Sequence, residues 1–333
     1  MTMLSLARYF LGSRLHRDSA DYPRTFIDVH SHFLPDFYVE AMRGAGIHDV
    51  DGWPVPRWSA QDALNMMKDN DIAAQVLSLS SPGITFAKGQ QARDLARSLN
   101  CFLAQTIEEH APRFGGFAVV PLPDIEASLD EIGYALDTLK LDGVGLLTNY
   151  DGIYLGDPLL DPVFAELNRR NAVVFVHPTQ PPNFKPLSVG LPAPILEYPF
   201  DTTRMVKNLV KSGTLRKYPD IRIIAAHGGG TIPYLFPRIV TGTGLNTADD
   251  YSRLYYDMTA TTAPPQTQAL RSVASPDRML IGFDFPFMDV KTVKPIIAGL
   301  HLSNFSSSRI FDIQRGTAQR LFPRIAASLN EGN

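Results

Sequence analysis

From residue 26 onward the chain alternates short apolar runs with longer stretches whose apolar residues recur at helical spacing. The runs are FIDVHSH (26–32), AAQVLSLSS (73–81), GGFAVVPL (115–122), GVGLLTN (143–149), AVVFVHP (172–178), IRIIAAH (221–227), LYYDMT (254–259) and RMLIGFD (278–284). They are rich in Val, Ile and Leu and nearly continuous in apolar character, which is how strands buried on both faces of a parallel sheet read. Helices are predicted between them: over AQDALNMMKDN, over 90–109, over IEASLDEIGYALDTL with Asp124 as N-cap, over 161–170, over RMVKNLVKSG with Gly213 just past its end, and near 290–300, 306–314 and 316–322.

A strand–helix alternation of this length predicts the α/β class, as a (β/α)8 TIM-like barrel. The competing architecture is a doubly wound open sheet. Its dinucleotide-binding form lacks support, since no Gly-x-Gly-x-x-Gly turn follows the first strand. Two interruptions break the alternation, residues 36–58 with Trp53, Pro54, Pro56 and Trp58, and the proline-rich residues 179–200. Both follow strand ends on the side where barrel active sites are built, so both are expected to be loops that wall or cover a pocket.

Composition narrows the picture. The 333 residues are 44% apolar with a formal net charge of −3, which supplies a large core and no basic surface for nucleic acid. No apolar run is long enough to span a bilayer. The single cysteine, Cys101, rules out an internal disulfide framework and favours a reducing compartment, hence a cytoplasmic protein. Residues 1–24 are expected to form an N-terminal arm ahead of a single catalytic domain over 25–333. Arg8, Arg14 and Arg17, with no acid before Asp18, give that arm a mitochondrial-targeting alternative.

The candidate chemistry sits at the ends of the apolar runs. His30 and His32 close the first, His177 the fifth, His227 the sixth and Asp284 the eighth. In a closed barrel those ends converge on one mouth. Imidazoles and one carboxylate suit a divalent ion, Zn2+ as first choice and Mn2+ as the alternative. The fourth run, GVGLLTN, ends without a lysine, so a second, lysine-bridged metal has no ligand and one ion per subunit is expected.

The segments DVHSHFLP (28–35), VFVHP, AAHGGGTIPYLFPR (225–238), GFDFPF (282–287) and RGTAQRLF (315–322) resemble, as an ordered set, the amidohydrolase superfamily in its aminocarboxymuconate-semialdehyde decarboxylase-like branch. The resemblance runs from about residue 25 to 325. It implies that His30, His32, His177 and Asp284 hold the metal, and that His227 is the acid/base. It further implies that Arg238 reaches the neighbouring subunit's site, making a homodimer, and that Phe287 lines the substrate pocket. The carboxymuconate enzymes carry substrate-gripping arginine where this chain has Ala63 and Asn65, which points away from a dicarboxylate. Within the branch the chain most resembles the fungal 6-methylsalicylate decarboxylases, which release CO2 to give m-cresol.

The expected reaction is therefore non-oxidative decarboxylation of an aromatic acid. Asp284 is the first candidate to protonate the ring and His227 to orient or reload that proton. Phe287, Phe285, Trp53 and Trp58 are expected to stack on or fence the ring. An aminocarboxymuconate-type decarboxylase, a metal-dependent hydrolase or lactonase, and a barrel with a purely binding role remain the competing readings.

Overall fold

The computed structural model describes residues 26–243 and 247–331. The arm expected over residues 1–24 lies outside the described residues. Eight parallel strands pair in chain order: β1 (Phe26–His32), β2 (Ile72–Ser78), β3 (Phe114–Ala118), β4 (Gly143–Leu147), β5 (Val173–His177), β6 (Arg222–Ala225), β7 (Tyr255–Asp257) and β8 (Met279–Leu280). β1 then meets the segment after β8. Val29 N donates to Ile281 O at 3.1 Å, Asp284 N to His30 O at 2.7 Å, and His32 N to Phe285 O at 2.7 Å. The sheet is thus closed, which removes the open doubly wound alternative.

Every strand overlaps its predicted run, β2 and β3 starting one residue earlier, and the later ones are shorter. β8 keeps only two ladder residues, and the chain then bends to deliver Asp284. Gly282 is required in that bend: a Cβ there would lie 2.5 Å from His30 Cβ and 2.2 Å from Thr259 Oγ1. Only a residue without a side chain lets the last strand approach the first so closely.

The barrel interior is filled by Ile27, Val29, Ala74, Val76, Phe117, Phe175, Ile224 and Leu280, and closed below by Leu321, Phe322 and Ile325 of the C-terminal helices. Apart from Ala74, each such side chain contributes roughly 1.5–3 kcal/mol through its removal from water. A larger apolar shell, including Phe33, Tyr38, Phe164, Met205 and Tyr256, packs the helices onto the outside of the strands.

Two predicted loops contain helices. Residues 36–58 begin with the helix Asp36–Gly44, which buries Tyr38 and Met42, and continue into a small hairpin pairing Asp49–Val50 with Trp53–Pro54. In the second interruption the helix Ala193–Lys211 starts eleven residues earlier than the RMVKNLVKSG reading and runs through Pro199. Its end is as expected, with Gly213 left-handed at φ 76°. Short 179–192 remains loop apart from one turn at Phe184–Leu187.

Candidate metal centre and substrate cleft

β1 is not a simple alternating strand. Its register with β2 shifts between Asp28 and Ser31, and the buried Asp28 carboxylate holds that irregularity. It accepts from His30 N at 3.0 Å, Ser31 Oγ at 2.5 Å, Gln75 Nε2 at 2.9 Å and Phe283 N at 3.2 Å. Burial raises the Asp28 pKa to about 6 despite these donors. The shift lets Val29 join the interior packing while His30 rests edge-on against Phe175, ring centroids 5.0 Å apart. His30 and His32 thereby reach the mouth together, their rings 5.0 Å apart.

His177 extends from β5 and lies 5.2 Å from His30 and 4.8 Å from His32, ring to ring. Asp284 arrives from the bend after β8. One ligand atom from each of His30, His32, His177 and Asp284 can be chosen so that all lie within 4.8 Å of one another. Each histidine has its Nδ1 committed elsewhere. His30 Nδ1 faces Asp257 Oδ2 at 3.1 Å, His32 Nδ1 faces Ser78 Oγ at 3.0 Å, and His177 Nδ1 donates to Pro178 O at 2.7 Å. That arrangement leaves the Nε2 atoms for the centre, as outer partners of metal-bound histidines do.

The donor set fits a divalent cation. His30 Nε2, His32 Nε2 and Asp284 Oδ1 are buried without a hydrogen-bond partner. Three such orphans together cost about 1–3 kcal/mol each unless something satisfies them. Protonation is also suitable. Burial lowers His32, and lowers His177 well below the usual imidazole value, so both present neutral lone pairs. Burial opposes the charged form of His30 as well, but Asp257 and Asp284 outweigh it and raise its pKa. Asp284 is desolvated too, yet the neighbouring imidazoles of His227, His32 and His30 hold it well below the carboxylate range.

The two carboxylate oxygens of Asp284 face different ways. Oδ1 is 3.0 Å from His32 Nε2, on the ligand side. Oδ2 is 4.0 Å from His227 Nε2. His227 and Asp284 are both in left-handed backbone conformations, φ 53° and 56°, strain of the kind that folds hold at functional positions. His227 N donates to Asp257 Oδ1 at 3.3 Å. Asp257, fully buried at the end of β7, thus orients both His30 and His227. Sequence reasoning passed over it, although LYYDMT carries the same signal as VFVHP, a polar side chain closing an apolar run. Replacing Asp257 by alanine is expected to weaken metal affinity by about 10–100-fold. Titration against a metal-buffering chelator measures this, and unchanged affinity would show that His30 keeps its orientation unaided.

A cleft of about 340 Å³ opens over the centre. His177, His227 and Asp284 form its polar end. Val50, Trp53, Pro194, Ile195, Phe287 and Met288 form an apolar wall. Neither Lys nor Arg is among the lining residues, and Asp289 stands at the rim. Phe287 is edge-on to His32 at 5.4 Å, where the resemblance puts a pocket residue. Both interruptions supply wall residues, through Val50 and Trp53 and through Pro194, Ile195 and Tyr198. Two expected contacts fall elsewhere. Trp58 packs against Phe33 and Phe102, and Phe285 lies in the outer core, so neither fences the cleft. Arg238 is exposed on the helix Ile232–Thr243 and does not line the cleft of its own chain.

Three imidazoles and one carboxylate gathered at the C-terminal mouth of a closed (β/α)8 barrel form a metal-binding site. A family model described as Amidohydrolase matches residues 27–324, and the chain belongs to that family. The chain is 36% identical over 328 residues to the protein named Decarboxylase macB of Penicillium terrestre, covering 92% of this chain and 97% of the relative. It is 35% identical over 319 residues to the 6-methylsalicylic acid decarboxylase of Penicillium expansum, covering 92% and 98%. Among solved structures, one described as amidohydrolase II superposes with a TM-score of 0.84 at 31% identity, covering 89% of this chain and 99% of the other. The 5-carboxyvanillate decarboxylase of Novosphingobium aromaticivorans, complexed with manganese and a nitrobenzoic acid, shares the fold at a TM-score of 0.80 and 20% identity, covering 90% and 96%. Among the described residues no helix is long and apolar enough to cross a membrane.

Proposed function

We propose that this chain is a metal-dependent carboxy-lyase that converts 6-methylsalicylate to m-cresol and CO2. The observation that carries the substrate class is the cleft: one metal-ligating end, an apolar wall wide enough for a substituted ring, and no Lys or Arg of the same chain among the described lining residues. The sole carboxylate of the substrate and its ortho hydroxyl then have one place to go. Within the cleft of one chain a second carboxylate would meet the apolar wall and Asp289, with no cation of that chain to pair with, which is costly. Full-length similarity to the Penicillium expansum 6-methylsalicylic acid decarboxylase supports the same substrate.

Of the two ions suited to the donor set, Zn2+ is the proposed occupant, with Mn2+ the alternative. When bound, the ion supplies Lewis acidity and a template for the carboxylate and hydroxyl. The chain's own groups do the rest. Trp53 and Phe287 hold the ring and exclude water. Asp284 Oδ2 and His227 Nε2 share the proton that the ring carbon takes up as its bond to the carboxyl carbon breaks. One proton is consumed per CO2 released, and His227, reached from a second hollow lined by Thr231, Thr261 and Gln266, reloads it.

The assembly is proposed as a homodimer in which Arg238 of the partner subunit reaches the mouth. Arg238 and the 83%-exposed Tyr234 share one solvent-facing helix, and Tyr234 also lines that hollow. The single cysteine supports a cytoplasmic location, the mitochondrial alternative resting on Arg8, Arg14 and Arg17.

The test is a CO2-release assay over hydroxybenzoates with product analysis. 6-Methylsalicylate is expected to yield m-cresol, chelator dialysis to abolish release, and Zn2+ or Mn2+ to restore it. An aromatic dicarboxylate is expected to react roughly 100-fold less efficiently in kcat/KM. Ring-opened acid from a lactone, with no CO2 from any benzoate, would establish the hydrolase reading instead.

A further inference from the structure

Three loops that start from different strands are tied together by one carboxylate oxygen. Asp51 Oδ2, in the turn of the small hairpin after β1, accepts from Ser81 Oγ at 2.6 Å, Tyr198 OH at 2.7 Å and Gln180 N at 3.0 Å. Ser81 follows β2, Gln180 follows β5, and Tyr198 stands in the first turns of the helix Ala193–Lys211. Ser81 Oγ is also 2.7 Å from Thr179 Oγ1, and Ala193 N donates to Asp51 O at 2.9 Å.

The position is built for this role. Asp51 is left-handed at φ 53°, a conformation that aspartate tolerates better than most residues. The next residue, Gly52, faces Pro192 so closely that a Cβ would lie 3.2 Å from its Cα. The hairpin is therefore seated directly on the start of the helix.

What the knot holds in place is the cleft wall. Val50 and Trp53 flank Asp51 in the hairpin, Pro194 and Ile195 follow Ala193, and all four line the cleft. Tyr198, whose hydroxyl Asp51 receives, stands edge-on to the metal-site residue His177, ring centroids 5.6 Å apart. Asp51 itself is not a lining residue.

We infer that Asp51 is a positioning residue that sets the ring-binding wall, fixing Trp53 on one side and Tyr198 with Ile195 on the other. The inference rests on reading this cleft as the site of an aromatic acid. An oxygen that collects three donors is worth more than one surface contact. Removing it leaves Ser81, Gln180 and Tyr198 to find other partners, and both wall segments are freed at once.

The experiment uses full-length, metal-loaded protein carrying Trp58→Phe, so that Trp53 is the one remaining tryptophan of the two. Acrylamide quenching then reports how firmly the hairpin is seated, with no substrate present. Asp51→Ala is expected to raise the quenching constant about two-fold and the KM for 6-methylsalicylate about 10-fold, with kcat changed by less than about 3-fold and metal content as in the parent. Asp51→Asn, which keeps one accepting oxygen, is expected to fall between. Unchanged quenching and KM in Asp51→Ala overturns the inference, and so does a fall in kcat at constant KM. Should Asp51→Ala not fold, Ser81→Ala and Tyr198→Phe each remove one donor. A rise of about 3-fold in KM supports the knot, and unchanged KM in both overturns it. If no hydroxybenzoate releases CO2, the decarboxylase reading fails, while the quenching result still decides the role of Asp51.

Discussion

Asp284→Ala is expected to leave the protein folded, nearly free of metal, and at least about 1,000-fold slower in CO2 release. The size follows from the geometry. Asp284 contributes the only carboxylate of the four-residue ligand group, and its Oδ1 stands between His30 Nε2 at 3.6 Å and His32 Nε2 at 3.0 Å. Without it, the three imidazoles keep only the outer carboxylate of Asp257, which faces His30 Nδ1, and a dication loses its anionic ligand. Its other oxygen is the one nearest His227, so the same substitution removes the atom proposed to carry the proton. Elemental analysis and a turnover assay on one preparation check both halves. His177→Ala should empty the site as well, while keeping the Asp284–His227 pair. Full metal occupancy in either variant would show that the remaining ligands suffice.

The second large effect separates metal binding from chemistry. His227→Ala is expected to retain metal at close to the parent level and to lose about 100- to 10,000-fold in kcat, the span of a removed general acid–base group. His227 is outside the four-residue ligand group, and its Nε2 is 4.0 Å from the far oxygen of Asp284. Its own orientation comes from the backbone, through His227 N and Asp257 Oδ1. A His227→Ala protein that keeps full turnover would assign the proton to another group. One that loses its metal would make His227 a ligand.

The barrel and the ligand residues were legible because they share a local signal. Continuous apolar runs mark strands buried on both faces, and a polar residue at the end of such a run marks the mouth. What was illegible depended on contacts between distant segments. Asp51 and Tyr198 are separated by 147 positions, and nothing near either one shows that they meet. The helix Ala193–Lys211 was read late because Pro199 lies inside it, where proline usually ends a helix. What the proline removes is its own N–H donor; its carbonyl still accepts, from Thr203 Oγ1 at 2.7 Å. The helix Asp36–Gly44 did carry a signal, Tyr38 and Met42 four apart, but aromatic residues and flanking prolines made the stretch resemble loop. Trp58 was misplaced for the opposite reason, since composition cannot say on which side of a strand layer a ring will pack.

The closing seam of the barrel gives the metal a second consequence. His30 and His32 belong to the first strand and Asp284 to the bend after the last, and the two segments are stitched by only a few backbone hydrogen bonds around a two-residue β8. An ion held by all of them would act as a rivet across the joint between the first strand and the segment after the last. The ligand pocket exists only once the ring has shut, so metal capture reports completed assembly, and a chain stripped of its ion should gape first along that joint.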